Sequence, residues 1–489
     1  MTNKLLAGTA LLGATFYFGD ATAQTKNKPD VLFIFTDDQT FDGLNSLGNK
    51  DLITPNFDAL IASGTSFSNS YIMGGWHGAI SVASRSQMIT GKYLWNSYND
   101  EKSKYVSNIS AETMWPQVMG NAGYKTFLTG KWHLKTDANK LFDETNTVRG
   151  GMPDQTSAGY KRPVEGQVDK WSAWDTKHGG FWSDKNGKHW SVNQADIAIN
   201  FITTNKESVK PLFMYVAFNA PHDPRQSPKE YMDMYDPDTL KIPASYMTMH
   251  PLMKELGMYD FHHNKDGIMR DEDLAPLPRT EYAVKRNLQE YYAIISHLDV
   301  QVGRLIDELK KSGRYENTII VFGADNGLGM GKHGLLGKQN LYDHSVKVPL
   351  VFAGPNIPKG KTRNQLVYLQ DLVPTIYEMV GIDAPVGMQF QSQAAAVKSK
   401  RAKGRASVYA TYMNNQRMVR NGDYKLFFIP DAKVVYLFNL KKDPNELKNL
   451  YGDPRYNKIV KELAAEYILL AKESGDTFDL AKVYPSVFL

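Results

Sequence analysis

Cysteine is absent from this chain of 489 residues. Its absence excludes disulfide bonds, zinc sites built on thiolates and a cysteine nucleophile. A strong excess of one charge is also missing, because 57 Lys and Arg residues stand against 52 Asp and Glu residues. This small positive excess gives no indication of a nucleic-acid partner. We expect no membrane span either, since the apolar stretch at residues 5–18 is shorter than the ~20 residues that a spanning helix needs, and no later segment is apolar enough.

The first residues have the pattern of a secretory signal peptide. Lys4 supplies the positive start, residues 5–18 the apolar stretch, and residues 21–23 a small-residue cleavage site before Gln24. The alternative, a membrane anchor, is disfavoured by the length of the apolar stretch. We therefore predict that residues 1–23 are removed and that the protein is exported to the periplasm.

Apolar runs alternate with helical patterns over most of the chain, which favours an α/β fold with a large, mostly parallel or mixed sheet flanked by helices. The runs are at residues 31–35, 125–129, 212–217, 318–323 and 349–353, and the helical patterns at 55–63, 113–121, 193–203 and 288–311. Residues 143–187 and 231–278 have no clear period and are interpreted as long insertions. We assign residues 24–400 to this α/β domain.

The last part of the chain has a different pattern. Short alternating runs separated by turn residues occur at residues 407–413, 416–420, 424–428 and 434–439, and a helical pattern follows at 458–474. This order predicts a smaller α+β domain, residues 401–489, built on a four-stranded antiparallel sheet.

Acidic residues follow two of the predicted strands. Asp37 and Asp38 come directly after the first strand, and Asp325 and Asn326 come after a later one. Each pair alone is more typical of a solvated turn or, for Asp37 and Asp38, of a helix N-cap. Together they form an all-oxygen set of the kind that calcium and magnesium prefer, at the edge of the sheet where α/β proteins bind ligands. The residues leave the choice between the two metals open.

Ser81 lies at the predicted start of a helix that Gly91 ends, and Arg85 follows one turn later. Free N–H groups and the helix dipole favour an anion at such a position. Taken alone, this segment is a capped helix start. Further cationic and imidazole groups follow other predicted strands: Lys131, His133, His222, His333 and Lys338.

In this order the motifs resemble the formylglycine-dependent sulfatases of the alkaline-phosphatase superfamily, in particular bacterial carbohydrate sulfatases. The resemblance covers residues 29–449. It rests on Thr36-Asp37-Asp38, Ser81-Val82-Ala83-Ser84-Arg85 with Thr90-Gly91, Gly130-Lys131-Trp132-His133, Ala220-Pro221-His222, Asp325-Asn326-Gly327 with His333-Gly334, the segment 342–350, and Leu437-Phe438-Asn439-Leu440 with Asp443-Pro444.

Two positions depart from the usual pattern of the family. Ser81 stands where most members have Cys, and Ala83 where most have Pro. Members with Ser at this position are matured by a distinct enzyme, so the resemblance implies a serine-type formylglycine maturase as a partner.

The resemblance implies that Ser81 is oxidised to an aldehyde, the formylglycine, and hydrated to a diol. One hydroxyl attacks the sulfur atom and the other later releases sulfate, a form of covalent catalysis. The implied ligands of one calcium ion are Asp37, Asp38, Ser81, Asp325 and Asn326. The implied catalytic residues are Ser81, Arg85 and Lys131 at the diol, His133 as the base for sulfate release, and His222 and Lys338 on the sulfate, with His222 the proton donor to the leaving alcohol. His333 is not expected to be catalytic.

The resemblance also implies a sulfated glycan or sulfated monosaccharide as substrate, with galactose or N-acetylgalactosamine the first expectation. Candidate sugar contacts in the insertions and nearby are Trp171, Trp174, His178, Trp182, Arg225, His262 and His263. Two alternatives stay open: a phosphodiester or phosphonate hydrolase on the same scaffold, and a catalytically silent glycan-binding protein in which Ser81 is unmodified.

Overall fold

A computed structural model describes Met1 and residues 28–151, 157–176, 181–182, 187–259 and 268–488. The predicted signal peptide, residues 1–23, lies outside the described residues apart from Met1. The strands are, in chain order, β1 (Asp30–Thr36), β2 (Gly64–Tyr71), β3 (Gly74–Gly75), β4 (Lys125–Lys131), β5 (Glu144–Arg149), β6 (Leu212–Ala217), β7 (Thr318–Ala324), β8 (Leu350–Ala353), β9 (Lys361–Tyr368), β10 (Ser407–Tyr412), β11 (Gln416–Asn421), β12 (Tyr424–Ile429) and β13 (Val434–Asn439).

Eight of these strands form one large sheet in the order β5-β4-β6-β1-β7-β8-β2-β9. The five strands from β5 to β7 are parallel to one another. β8 runs antiparallel to both of its neighbours, β7 and β2, and β9 is parallel to β2. The predicted mixed α/β sheet is therefore confirmed, with β1 near its middle.

Successive residues of β1 are buried on opposite faces of this sheet. Val31, Phe33 and Phe35 belong to one hydrophobic core, and Leu32 and Ile34 belong to another. Side chains alternate across a strand, so a strand that is covered on both faces is apolar at most of its positions. This is why the first apolar run reads as a central strand.

Helices cover both faces of the sheet. They are α1 (Pro55–Ala62), α2 (Ile80–Thr90), α3 (Leu94–Lys102), α4 (Val106–Ser110), α5 (Trp115–Asn121), α6 (Trp190–Thr204), α7 (Lys229–Met232), α8 (Glu281–Lys311), α9 (Asp343–Val346), α10 (Leu372–Val380), α11 (Ala394–Lys398), α12 (Asn457–Ser474), α13 (Leu480–Val483) and α14 (Pro485–Phe488). α1, α6 and α8 pack on one face, and α2, α5 and α10 on the other. None of the helices in the described part of the chain is long and apolar enough to cross a membrane.

The second sheet has five strands, in the order β13-β12-β11-β10-β3, and not four. β10 to β13 form the predicted antiparallel meander, and α12 packs against it. The additional strand is the pair Gly74 and Gly75, which runs parallel to β10. A side chain at Gly74 would clash with the carbonyl group of Thr411, and its φ of 79° also favours glycine. This close approach fixes the segment that leads into α2 against the C-terminal sheet. The division near residue 400 stays a prediction.

Candidate active site

The acidic residues after β1 and β7 lie side by side. These strands are parallel neighbours, and Thr36 pairs with Ala324 at their ends. The Asp38 backbone N–H donates to Asp325 Oδ1 at 3.1 Å, and Asn326 Nδ2 donates to Asp38 Oδ1 at 2.8 Å. All four residues that follow the two strands, Asp37, Asp38, Asp325 and Asn326, are completely buried. The predicted juxtaposition of the two strand ends is present in the structure.

The donor set at this position fits a hard cation. Asp37, Asp38 and His222 bring potential ligand atoms within 4.8 Å of one another. Among the described residues, none donates a hydrogen bond to the buried Asn326 Oδ1. A buried amide oxygen without a donor is costly unless a cation or water meets it. Carboxylate and amide oxygens are the ligands that calcium and magnesium favour.

Ser81 is the second residue of α2, and its Oγ contacts groups from two other elements. The distance from Ser81 Oγ to Asp37 Oδ1 is 3.3 Å, and that to Lys131 Nζ is 3.2 Å. Ser81 is 1% exposed. α2 ends as predicted at Gly91, whose φ of 69° is left-handed. The structure thus brings Ser81 to the helix N-terminus and beside the acidic cluster.

Arg85, one turn further along α2, forms hydrogen bonds with one of the clustered aspartates and with the end of β4. Its Nε and Nη2 donate to Asp325 Oδ2 at 3.2 and 3.0 Å, and its Nη1 donates to the Lys131 carbonyl oxygen at 2.8 Å. Burial disfavours the charge, but Asp325 outweighs this effect and raises the pKa of Arg85. Its described hydrogen bonds therefore fix Asp325 and the end of β4, beside Ser81.

Lys131, at the end of β4, forms a fully buried ion pair with Asp37 in addition to its contact with Ser81. Burial, reinforced by the neighbouring Asp325, raises the pKa of Asp37 to about 6. Burial also lowers the pKa of Lys131, although Asp37 opposes the shift. Removing both groups from water thus makes each easier to neutralise.

His133 follows two residues later in a left-handed conformation, with φ of 60°. Burial lowers its pKa far below the usual range, and the charges of Lys131 and Arg85 lower it further. The ring is therefore neutral at neutral pH. Its Nδ1 is buried, and no described residue forms a hydrogen bond with it. A neutral imidazole with an unused nitrogen can accept a proton.

The side chains of His222 and Lys338 contact each other, and both lie next to the Asp38 carboxylate. Lys338 Nζ lies 2.6 and 2.8 Å from the two carboxylate oxygens of Asp38 and 3.2 Å from His222 Nε2. Burial alone would raise the pKa of Asp38, but His222 and Lys338 outweigh it and lower that pKa to about 2. Burial likewise opposes the charge of Lys338, and Asp38 and Asp271 outweigh it and raise the Lys338 pKa. The ammonium group is thus held charged beside the imidazole.

Two acidic residues of this site were not predicted. Asp223 Oδ1 lies 3.2 Å from His222 Nδ1, and Tyr160 Oη donates to Asp223 Oδ2 at 2.6 Å. Asp271 Oδ2 lies 3.8 Å from Lys338 Nζ. Asp223 could have been found because it directly follows His222. Asp271 gives no signal, since it belongs to the stretch that was interpreted as an irregular insertion.

Several expected sugar contacts are buried away from solvent. Trp171 is 6% exposed and packs in a separate apolar cluster, and Arg225 is 2% exposed with its guanidinium 5.3 Å from the Tyr291 ring. Trp174 is 44% exposed and Trp182 is half-buried. His333 is buried and stacks on Tyr342 at 4.0 Å, which agrees with a role outside catalysis. The remaining candidates, His178, His262 and His263, lie outside the described residues.

The sequence matches the family model of the sulfatases (Sulfatase) over residues 29–382, which is most of the chain. It also matches the model described as N-sulphoglucosamine sulphohydrolase, C-terminal, over residues 331–473. The chain belongs to the sulfatase family. An arylsulfatase of Clostridium perfringens is 27% identical to this sulfatase, with 94% of this chain and 98% of that protein covered. An N-acetylglucosamine-6-O-sulfatase of Bacteroides thetaiotaomicron is 24% identical, with 94% and 89% covered. This sulfatase is accordingly a sulfuric ester hydrolase, as the motifs indicated.

Solved structures show the same fold. One, in complex with its substrate D-glucosamine-2-N,6-O-disulfate, has a TM-score of 0.70 at 22% identity and covers 92% of this sulfatase and 99% of that chain. A phosphonate monoester hydrolase of Agrobacterium radiobacter has a TM-score of 0.69 at 20% identity, with 91% and 96% covered. At these identities the likeness concerns the fold alone, and this fold is shared by enzymes that act on sulfur and on phosphorus.

Proposed function

We propose that this sulfatase removes sulfate from a sulfated sugar, as part of glycan degradation. The observation that carries the proposal is the position of Ser81, whose Oγ lies 3.3 Å from Asp37 and 3.2 Å from Lys131 at the start of α2. Two similar proteins support a sugar substrate, since one is named an N-acetylglucosamine-6-O-sulfatase and the other is in complex with a sulfated glucosamine. Sulfated glucosamines therefore join the galactose sugars as candidate substrates.

The nucleophile in this proposal is a formylglycine made from Ser81. Unmodified serine has one hydroxyl and could accept a sulfuryl group, but it would lack the second hydroxyl that releases sulfate by elimination. The hydrated aldehyde supplies both. Lys131 favours the proposal because its Nζ contacts Ser81 Oγ, where it would stabilise negative charge on the attacking oxygen.

The proposed cofactor is a calcium ion. Asp37, Asp38, Asp325 and Asn326 would hold it, together with the oxygen of the modified Ser81. Bound there, the ion supplies positive charge next to the sulfate oxygens and the nucleophile. The buried Asn326 Oδ1, to which no described residue donates, supports this assignment. The raised pKa of Asp37 also supports it, because a cation would keep this crowded carboxylate ionised.

Two histidines are proposed to carry out the two proton transfers of the reaction, one during sulfate release and one to the leaving alcohol. His133, neutral because its pKa is strongly lowered, is proposed to take the proton from the second hydroxyl when sulfate leaves. His222 and Lys338 are proposed to bind the sulfate, with His222 as proton donor to the leaving alcohol. The contact of 3.2 Å between His222 Nε2 and Lys338 Nζ directs both groups to one place. Arg85 would hold Asp325 and Lys131 in position.

The test is sulfate release from a panel of sulfated galactose and glucosamine sugars, with the protein co-expressed with a serine-type formylglycine maturase. Mass spectrometry of the peptide that contains residue 81 establishes the modification, because oxidation to the aldehyde removes about 2 Da. We expect release from a member of the panel, and none with Ser81→Ala. Hydrolysis of matched phosphoesters or phosphonates, with no release of sulfate from the sulfate esters, would instead favour a phosphodiester or phosphonate hydrolase. An unmodified peptide from the native host would favour a silent glycan-binding protein.

We also propose export to the periplasm after cleavage of residues 1–23. The N-terminal pattern of the sequence supports this, and N-terminal sequencing of protein from the native host tests it. The mature chain is expected to begin at Gln24. A chain that retains Lys4 would overturn the assignment.

A further inference from the structure

A cavity of about 540 Å³ lies next to His133. Its walls come from the start of α2, the last turn of α3, the loop after β4 and the end of β5. Its volume falls within the roughly 300–1,000 Å³ that is usual for small-ligand sites. Because His133 lines it, the cavity opens beside the proposed reaction centre, and nothing in the proposed chemistry uses its other walls.

The cavity offers both donors and acceptors of hydrogen bonds. His77 Nδ1 accepts a hydrogen bond from the Ala79 N–H at 3.0 Å, so in the neutral ring the proton is on Nε2, which can donate. Glu101 has a buried side chain and pairs with the exposed Lys135 at 2.9 Å. A buried carboxylate held next to an ammonium group can accept from two hydroxyls.

Apolar groups lie between these polar ones. Val82, Trp132 and Ala138 line the cavity and are buried. Sugar rings combine hydroxyl groups with apolar C–H surfaces, and sites for such ligands combine a few polar groups with an aromatic or aliphatic lining. The charged groups of the walls balance one another, with Glu101 and Asp137 against Lys135 and Arg149. This balance favours a neutral ring over a second sulfate group.

We propose that this cavity binds the neutral sugar unit next to the sulfated one, so that the substrate is an oligosaccharide. The inference rests on the proposed function. The sulfated ring must lie where its sulfate reaches Ser81, His222 and Lys338, and none of these three lines the cavity. His133 belongs to both places. A ring in the cavity is therefore adjacent to the sulfated ring.

Gly150 allows a direct test. It lines the cavity, and a Cβ built on it has no heavy atom within 4 Å, so Gly150→Trp adds a large side chain at the cavity wall without a clash at Cβ. A second variant, Lys135→Ala, removes an exposed cationic group that pairs with Glu101. The matched control is Asn146→Trp, because Asn146 is an exposed residue of the same strand β5 and does not line the cavity.

The measurement is kcat/KM of the matured protein for one sulfated monosaccharide and for the same sulfated sugar within a di- or trisaccharide whose other units carry no sulfate. We expect the wild-type protein to prefer the oligosaccharide by about tenfold or more, which corresponds to a small number of hydrogen bonds. Gly150→Trp should abolish this preference and leave kcat/KM for the monosaccharide within about twofold of wild type. Lys135→Ala should reduce the preference, and Asn146→Trp should retain it.

Two outcomes overturn the inference in different ways. Equal kcat/KM for both substrates in the wild-type protein, or an unchanged preference in Gly150→Trp, refutes the cavity assignment while the sulfatase activity stands. Absence of sulfate release from both substrates, with the aldehyde confirmed by mass, refutes the proposed function and the assignment with it.

Discussion

Replacing Lys338 by methionine removes one positive charge from the most crowded part of the site at little change in volume. In the structure Lys338 Nζ contacts both carboxylate oxygens of Asp38 and His222 Nε2, and lies 3.8 Å from Asp271. All of these groups are buried. Lys338→Met therefore leaves Asp38 without its lysine partner, while Asp271 keeps its ion pair with Arg270 at 2.6 Å.

The expected loss of folding free energy is large. Breaking one partner of a buried ion pair costs about 3–5 kcal/mol, out of a total stability of about 5–15 kcal/mol. The folded-state pKa of Lys338 is raised above its usual value, since Asp38 and Asp271 outweigh burial. The stabilisation that comes with this raised pKa is fully present below pH 10.5 and disappears only at higher pH. The stability difference between Lys338→Met and wild type should therefore be constant at all lower pH values.

A bound cation should offset part of this loss. If calcium lies against Asp38, it supplies the charge that the variant lacks, and urea titrations should show a smaller loss with calcium than with a chelator. The catalytic loss should remain, with kcat reduced roughly 10²–10³-fold, because the charge on the transferring sulfate is no longer met.

The control for this experiment is Lys332→Met. Lys332 belongs to the same loop and pairs with Asp42 at a partly exposed position. An exposed pair contributes about 0–1 kcal/mol, so the control should keep kcat and nearly all of its stability. The reasoning is refuted if Lys338→Met retains kcat within about threefold of wild type in fully matured protein. It is also refuted if the loss of stability is the same with and without calcium.

Three further variants test the other parts of the site and the fold. Asn326→Ala removes the buried Oδ1 to which no described residue donates, and calorimetry should show calcium affinity lowered by about tenfold or more; unchanged affinity contradicts the ligand set. His133→Ala should slow sulfate release, so that mass spectrometry detects a sulfated peptide at residue 81 during turnover, which wild type should not show. Burial outweighs the opposing charge of Lys425 and raises the pKa of Glu446 to about 7. Because the folded state keeps this proton to higher pH than the unfolded state, wild type should lose up to about 3 kcal/mol of stability as the pH rises from 4.5 to 7. Glu446→Gln should show a flatter dependence in urea titrations at pH 5 and 8, and parallel curves would contradict this.

The sequence predicted five strands of the large sheet, β1, β4, β6, β7 and β8, and the four strands of the antiparallel meander, but it did not predict β2, β5 or β9. Runs that are buried on both faces, such as residues 31–35 of β1 and the whole of β6, stand out because every residue in them is apolar. A run of apolar residues does not indicate in which direction its strand runs relative to its neighbours. The antiparallel direction of β8 was therefore not predictable. β5 was missed because its side chains are half-buried or exposed in alternation, as at an edge of the sheet. β3 was missed because two glycines form no period, and only the approach of Gly74 to Thr411 makes them a strand.

The candidate site was predictable wherever its residues follow central strands. Asp37 and Asp325 meet because β1 and β7 are neighbours, and the carboxyl ends of parallel strands share one edge. The pairing of Arg85 with Asp325 needed the structure, since it depends on the angle at which α2 crosses that edge. Asp271 also needed the structure, because nothing in an irregular segment indicates which of its carboxylates turns inward.

The buried charges of the site give an independent argument for the metal. Three aspartates, Asp37, Asp38 and Asp325, face three cations, Arg85, Lys131 and Lys338, so the charges of these six groups balance one another. A sulfate ester and a deprotonated nucleophile would add two negative charges beside these buried side chains. Uncompensated charge is strongly disfavoured at such a place. A divalent cation held by Asp38 and Asn326 would offset these two added charges. The cation would therefore be needed most when substrate and nucleophile are both present, and less for the folded state alone.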